Sequence, residues 1–226
     1  ALPISAQDSV RIYGRVTDFD SQPLDSVSVL LKGSEFENIA SALTGRDGKF
    51  SITAKRGKYY CIYAVKASDY AKTKLEYWAW NVPAFSDLEL NPQYDRMEIY
   101  SVNAFEPQVG PWETYMVYFR PMSLAKALNS STARRAVMGD TIDVAPSSIS
   151  PVELSISING IPSDVLMITR MIEFARGSYV WGYMAQVRKP KSSTPASVGF
   201  DRISVVLRSK ETGESGMGEC FVERTR

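Results

Sequence analysis

Apolar and polar positions alternate with a period of two through much of this chain. Val10, Ile12, Gly14 and Val16 are interleaved with Arg11, Tyr13 and Arg15, and Val27, Val29 and Leu31 with Ser26, Ser28 and Leu30. This is the period of half-buried β-strands, whose successive side chains point to opposite faces. Asp20-Ser21-Gln22-Pro23 supplies the turn between the two segments. Asp47-Gly48 can take the positive φ angles of a tight hairpin, and Phe50, Ile52 and Ala54, spaced by Ser51 and Thr53, start a strand where that turn ends. Lys58 to Val65 is a nearly continuous apolar and aromatic run bounded by Gly57 and Asp69, a pattern that predicts a central strand covered on both faces.

The punctuation then changes. Val82-Pro83 and Asn91-Pro92 interrupt the pattern, with Asp87 to Leu90 as a short final strand between them, and Asp95 to Phe105 opens a second set of strands. These signals divide the chain into two units, 8–92 and 93–226, joined by a linker too short to let them swing freely. In the second unit Trp112 to Arg120 reads as an aromatic strand and Leu154 to Ile158 alternates up to a turn at Asn159-Gly160. Tyr179, Trp181, Tyr183, Ala185 and Val187 line one face of a further strand, and Ile203, Val205 and Leu207 one face of another. Glu214-Ser215-Gly216 separates the last two strands, Phe200 to Ser209 and Met217 to Glu223. Met122 to Leu128, with an extension through Ala133 to Val137, has the Ala, Leu and Lys content of a short helix. Asp164 to Phe174 fits either a long buried strand or a helix capped by Ser163 and ended by Gly177, because the Val165, Ile168, Ile172 spacing does not decide.

The first unit resembles the carboxypeptidase regulatory-like (prealbumin-like) β-sandwich family. The residues that carry the resemblance are the strand ending Gly14-Arg15-Val16, the Pro23-Leu24 turn, the alternating Val27 to Leu31 strand, and Thr44-Gly45-Arg46-Asp47-Gly48-Lys49-Phe50. It implies a sandwich used as an accessory, spacer or recognition module, common among surface and periplasmic proteins. With the strands of the second unit, the expected fold class is all-β: two sandwich domains, the second immunoglobulin-like or related, with at most one or two short helices.

Charge and composition narrow the partners. The 226 residues carry 26 basic and 25 acidic side chains without a long block of one sign, so no electrostatic footprint for nucleic acid or an anionic bilayer is present. Arg188-Lys189-Pro190-Lys191 reads as a solvated turn. No stretch approaches the roughly eighteen apolar residues of a membrane-spanning helix. Ala1 to Gln7, small and apolar before a switch to polar residues, reads as the end of a signal peptide or the first residues after one, and predicts an exported protein of the periplasm, cell surface or extracellular space.

The chain contains no histidine, which removes Ser-His-Asp and Cys-His catalysis and His-ligated zinc hydrolysis, so the family resemblance carries no peptidase activity with it. No phosphate-binding glycine loop or EF-hand is present, Asp18, Asp20 and Asp25 read as solvated turn residues, and no cofactor or metal is expected. Cys61 and Cys220 are the only cysteines; Cys61 sits inside an apolar strand, where a thiol acts as a small hydrophobe.

Aromatic residues are what remains to mark a working surface. In Tyr77-Trp78-Ala79-Trp80, alternation places Trp78 and Trp80 on one strand face and Tyr77 on the other. Exposed aromatic faces stack on sugars and anchor proteins, which makes Tyr77, Trp78 and Trp80 the candidate surface for a glycan or a cell-surface protein. The competing structural role is weightier: Trp80, near the boundary, can fasten the two units together, and Trp112 and Trp181 fit core positions. Three functional classes follow, in this order: a non-catalytic exported recognition or scaffolding module, a structural subunit or spacer of an adhesin or surface fibre, and a histidine-free carboxylate glycosidase.

Overall fold

A computed structural model describes residues 8–107, 113–130, 138–191, 194, 195, 197 and 199–224. Trp112, Ala1 to Gln7 and the helical extension through Ala133 to Val137 lie outside the described residues.

The alternating segments become strands where the pattern places them. β1 (Ser9–Arg15) pairs antiparallel with β4 (Lys49–Lys55) and parallel with β7 (Leu88–Glu89), forming a three-stranded sheet in the order β4-β1-β7. Gly48, with φ of 75°, begins the β4 side of the 44–49 turn. An eight-stranded sheet runs through the middle of the molecule. Its first half contains β3 (Asn38–Leu43), β2 (Ser28–Lys32), β5 (Gly57–Val65) and β6 (Tyr77–Ala84). Its second half contains β16 (Ser215–Glu223), β15 (Phe200–Arg208), β11 (Leu154–Ile158) and β12 (Ile161–Ser163). The halves join where β6 and β16 pair in parallel, Trp78 opposite Gly218 and Trp80 opposite Cys220.

A five-stranded sheet completes the fold. In it β10 (Thr141–Ile142) and β9 (Thr114–Ser123) lie on one side of β14 (Ser178–Arg188), β8 (Met97–Phe105) lies beyond β9, and β13 (Val165–Ala175) lies on the other side of β14. The single helix among the described residues, α1 (Leu124–Asn129), is N-capped by the Ser123 hydroxyl, which accepts from the Lys126 amide at 3.1 Å. The fold is nearly all β.

Each half of the central sheet is covered on a different face. β6 sends Tyr77, Ala79, Val82 and Ala84 into a first core closed by Ile12, Val10, Ile52 and Phe50 of the three-stranded sheet. Its other face contributes Trp78 and Trp80 to a second core built on Tyr115, Val117, Phe119, Tyr183 and Ala185 of the five-stranded sheet. β16 does the same with Phe221 and Cys220. The cores do not divide at one point of the chain: Cys61, Trp78 and Trp80 belong to the second core and Phe200 and Phe221 to the first. β8 lies directly across β16 because Gly216 and Gly218 have no side chains: a Cβ at Gly218 would stand 2.2 Å from the Ile99 carbonyl oxygen, and one at Gly216 2.4 Å from that of Met97.

The ambiguous 164–174 segment is a strand, but not a buried one. β13 is an edge, with Leu166, Met167, Ile172 and Phe174 exposed, and its burial shows no period of two. The thiols of Cys61 and Cys220 are free and buried. Both residues stand opposite Trp80 in register, one on each side, so they lie two strand spacings apart, about 10 Å. That exceeds the roughly 7 Å that a disulfide spans.

Candidate functional site

Parity along β6 follows the sequence: Tyr77 faces one way, Trp78 and Trp80 the other. Exposure does not. Tyr77 is 0% exposed and donates its hydroxyl hydrogen to the buried Glu219 carboxylate, which also accepts from Ser204. Trp78 and Trp80 are 5% and 8% exposed. They stack with centroids 5.1 Å apart, and Tyr100 of β8 meets both edge-on at 5.2 and 5.1 Å. The ring faces that the sequence offered to a ligand are therefore covered, because β8 lies on that side of the sheet. The partly buried Trp181 lies under the Arg170 guanidinium, 3.9 Å from the ring centroid.

What reaches solvent is the rim of this aromatic slab. Tyr63 stacks on Trp78 at 4.6 Å, Phe36 on Trp78 at 5.9 Å, and Tyr60 stands edge-on to Trp80 at 5.5 Å. Phe36 and Tyr60 are each 44% exposed. Lys32 leans over Phe36, its Nζ 4.5 Å from the centroid. Stacked and edge-on contacts of this kind each add about 0.5–1.5 kcal/mol beyond burial and hold the outer rings in place.

A groove of about 650 Å³ runs beside Tyr60. Local backbone geometry opens it. Asn81 has φ of 58°, in the left-handed region that asparagine tolerates better than most residues. It lies between the Cys61–Trp80 and Tyr59–Val82 pairs, opposite Tyr60, and the alternation of β6 changes phase there. Asn81 and Tyr60 both turn outward as a result. Asn103 of β8 and Phe200 of β15 close the other wall. The groove is thus assembled from segments far apart in the chain. Neither the Asn81 nor the Asn103 side-chain amide has a hydrogen-bond partner among the described residues.

The charged residues of the groove are already engaged. Lys58 and Glu223 pair at 2.7 Å, and Glu37 accepts from the Glu35 amide at 3.0 Å. The chain does bring together one pair of acids that no local sequence signal indicates, Glu76 and Glu98, which are 8% and 2% exposed. The Trp78 indole donates to Glu76 at 3.2 Å. Burial pushes the Glu76 carboxyl up to about 7, against the indole hydrogen bond. Burial, and then the Glu76 charge, raise that of Glu98 well above the usual carboxylate range, with Trp78 and Arg120 opposing. Neither acid lines the groove, and both are buried. Among the described residues no three metal-ligating side chains cluster, and no helix is long and apolar enough to cross a membrane.

No family model matches the chain, and no curated protein sequence does. Among solved structures it is similar to a DUF3823 family protein from Parabacteroides merdae, at 10% identity over 96% of this chain and 99% of that one, with a TM-score of 0.29. It is also similar to BcpA, the major pilin subunit of Bacillus cereus, at 10% identity over 95% and 68%, TM-score 0.29. The Corynebacterium diphtheriae major pilin SpaA is similar at 7% identity over 88% and 62%, TM-score 0.25.

Proposed function

We propose that this protein is a non-catalytic, exported recognition module of a bacterial cell surface or periplasm, and that the groove beside Tyr60 takes carbohydrate. One observation carries the reading: an exposed tyrosine ring, braced from behind by Trp80, stands beside two side-chain amides without partners. A pyranose offers C–H groups to an aromatic ring and hydroxyls to amides, and here both lie in one groove. The rim ring is fixed by its neighbours, so little side-chain freedom is lost on binding. The absence of histidine and the engagement of Glu37 and Glu223 support binding without turnover. The first unit is, in this reading, a carboxypeptidase regulatory-like sandwich, on the residues from Gly14 to Phe50 that carry that resemblance.

A glycan array of bacterial and plant polysaccharides, probed with the protein and its Tyr60→Ala variant, tests this. Retention of a subset of glycans by the protein and at least a tenfold loss in the variant is the expected result, the size of an aromatic contact worth about 1.4 kcal/mol or more. Absence of any retained glycan, or equal retention by both proteins, contradicts the proposal.

A structural subunit of a surface fibre is the second reading; it requires the open edge of β13 to pair with a different strand of the next subunit.

A further inference from the structure

β13 and β14 meet at Arg176-Gly177, whose φ angles of 52° and 86° are those of a two-residue type I′ hairpin turn closing the Ala175–Ser178 pair. The phase of hydrogen bonding follows. On β14 and at its end, odd residues bond away from β13: the Tyr179 amide donates to the Asp140 carbonyl at 2.8 Å, and that of Lys189 to Glu113 at 2.6 Å. The Arg188 amide, an even position, donates towards the β13 side, to Asp164 at 3.0 Å. In the antiparallel register, even residues of β14 oppose odd residues of β13, so Thr169, Met171, Glu173 and Ala175 spend their amide and carbonyl groups on β14. Ile168, Arg170, Ile172 and Phe174 therefore aim theirs outward, and β13 has no second neighbouring strand among the described residues.

This edge carries few of the devices that usually blunt one: its two charges, Arg170 and Glu173, are turned to Asp143 and Tyr118 of the same chain, and its bulge lies at one end. β12, at one end of the eight-stranded sheet, is three residues long and contains Pro162. β13 has no proline or lysine, and runs without irregularity from a bulge between Val165 and Met167 to the hairpin turn. The regular stretch, Met167 to Ala175, has its midpoint at Met171.

We propose that β13 pairs antiparallel with β13 of a second copy of this chain, about a two-fold axis at Met171. A two-fold axis perpendicular to the sheet keeps each residue on its own face, so only registers in which opposed residues have the same parity are open. Centring on Met171 puts Met167 opposite Ala175 of the copy, so the regular stretch overlays itself end to end. Arg170 then opposes Ile172, and Ile168 opposes Phe174, which satisfies the outward backbone groups of all four residues. Thr169 opposes Glu173, a hydroxyl donor against a carboxylate. Centring on Arg170 sets two guanidinium groups against each other, and centring on Ile172 leaves Ile168 beyond the strand end. The contact is isologous and closes on itself, giving a continuous ten-stranded sheet and a dimer in place of an open fibre. It is independent of the carbohydrate groove, which no β13 residue lines.

Three variants and one mass measurement test the register. Light scattering after size exclusion is expected to give the protein a mass twice that of the 25.2 kDa chain. Ile172→Pro removes an outward amide and no bond to β14, so it is expected to give a folded monomer by circular dichroism. Met171→Cys places two cysteines in a non-hydrogen-bonded pair with Cα atoms about 4.5 Å apart, inside the disulfide window. Mild oxidation is expected to crosslink it to a dimer on a non-reducing gel, and Thr169→Cys at least tenfold less. A monomer at every concentration overturns the proposal, as does a dimer whose Met171→Cys form fails to crosslink or crosslinks no better than Thr169→Cys. The crosslinking comparison stands even if the proline variant does not fold.

Discussion

Trp78 and Trp80 lie face to face, 9° from parallel, with Tyr100 edge-on to both. Two residues of β6 thus form the surface on which β8 rests. This contact and the parallel β6–β16 ladder beside it join the two halves of the eight-stranded sheet.

Truncating that contact should destabilise the whole molecule. Trp80→Ala removes a large buried ring that touches Trp78, Tyr60 and Tyr100, and is expected to cost about 3–5 kcal/mol in urea unfolding. Trp80→Phe, which keeps part of the ring stack, should cost less. A loss below ~1 kcal/mol for the alanine variant would show that the slab is not packed as described.

The Glu76–Glu98 pair sets a pH dependence. Both carboxyls are held above their ordinary range, chiefly by burial, so the folded state binds more protons than the unfolded chain between about pH 4.5 and 7. Stability should therefore fall as pH rises through that window, the two sites titrating as a coupled unit. The groups facing them are the Trp78 indole, Arg120 and the phenols of Tyr63, Tyr70, Tyr94 and Tyr100. Urea midpoints measured from about pH 4.5 to 8 check the slope, and Glu98→Gln, which keeps the shape and removes the charge, should flatten it. An unchanged slope in Glu98→Gln would assign the effect elsewhere.

The two cysteines should be silent in the folded protein. Burial pushes the Cys61 thiol up to about 12, against the nearby Lys32 charge, and raises that of Cys220 further. A thiol reagent at neutral pH is expected to leave both unmodified in buffer and to label both in denaturant, read by intact mass. Rapid labelling of either in buffer contradicts the packing around Trp80.

The parts of this fold legible in the sequence are those where burial on one face leaves a local period. β1, β4 and β11 have clean alternation, β2 and β15 a looser one, and the Asp47-Gly48 and Asn159-Gly160 turns lie where their residue types put them. β13 is undecided in the sequence because an exposed edge needs no alternation, and its apolar residues fall equally well at helical spacing. β3 gives no signal for a similar reason: as the outer strand of the eight-stranded sheet it leaves Ile39 and Leu43 exposed, with Ala40 and Ala42 between them. Alternation fixes which residues of β6 share a face, but not what covers that face. Trp78 and Trp80 are buried by β8, and Glu76 meets Glu98 through the same packing, a relationship between distant segments that leaves no trace in local spacing. The groove followed from the structure alone, since Asn81 and Asn103 converge only once β8 has docked.

Because the groove takes Tyr60 and Asn81 from β5 and β6 and Asn103 and Phe200 from β8 and β15, the proposed recognition surface exists only while the two cores are locked by the shared sheet. Differential scanning calorimetry of the intact chain tests that most directly. The account predicts one transition with equal calorimetric and van't Hoff enthalpies per cooperative unit. Two separable transitions, with Trp80→Ala shifting only one of them, would contradict it.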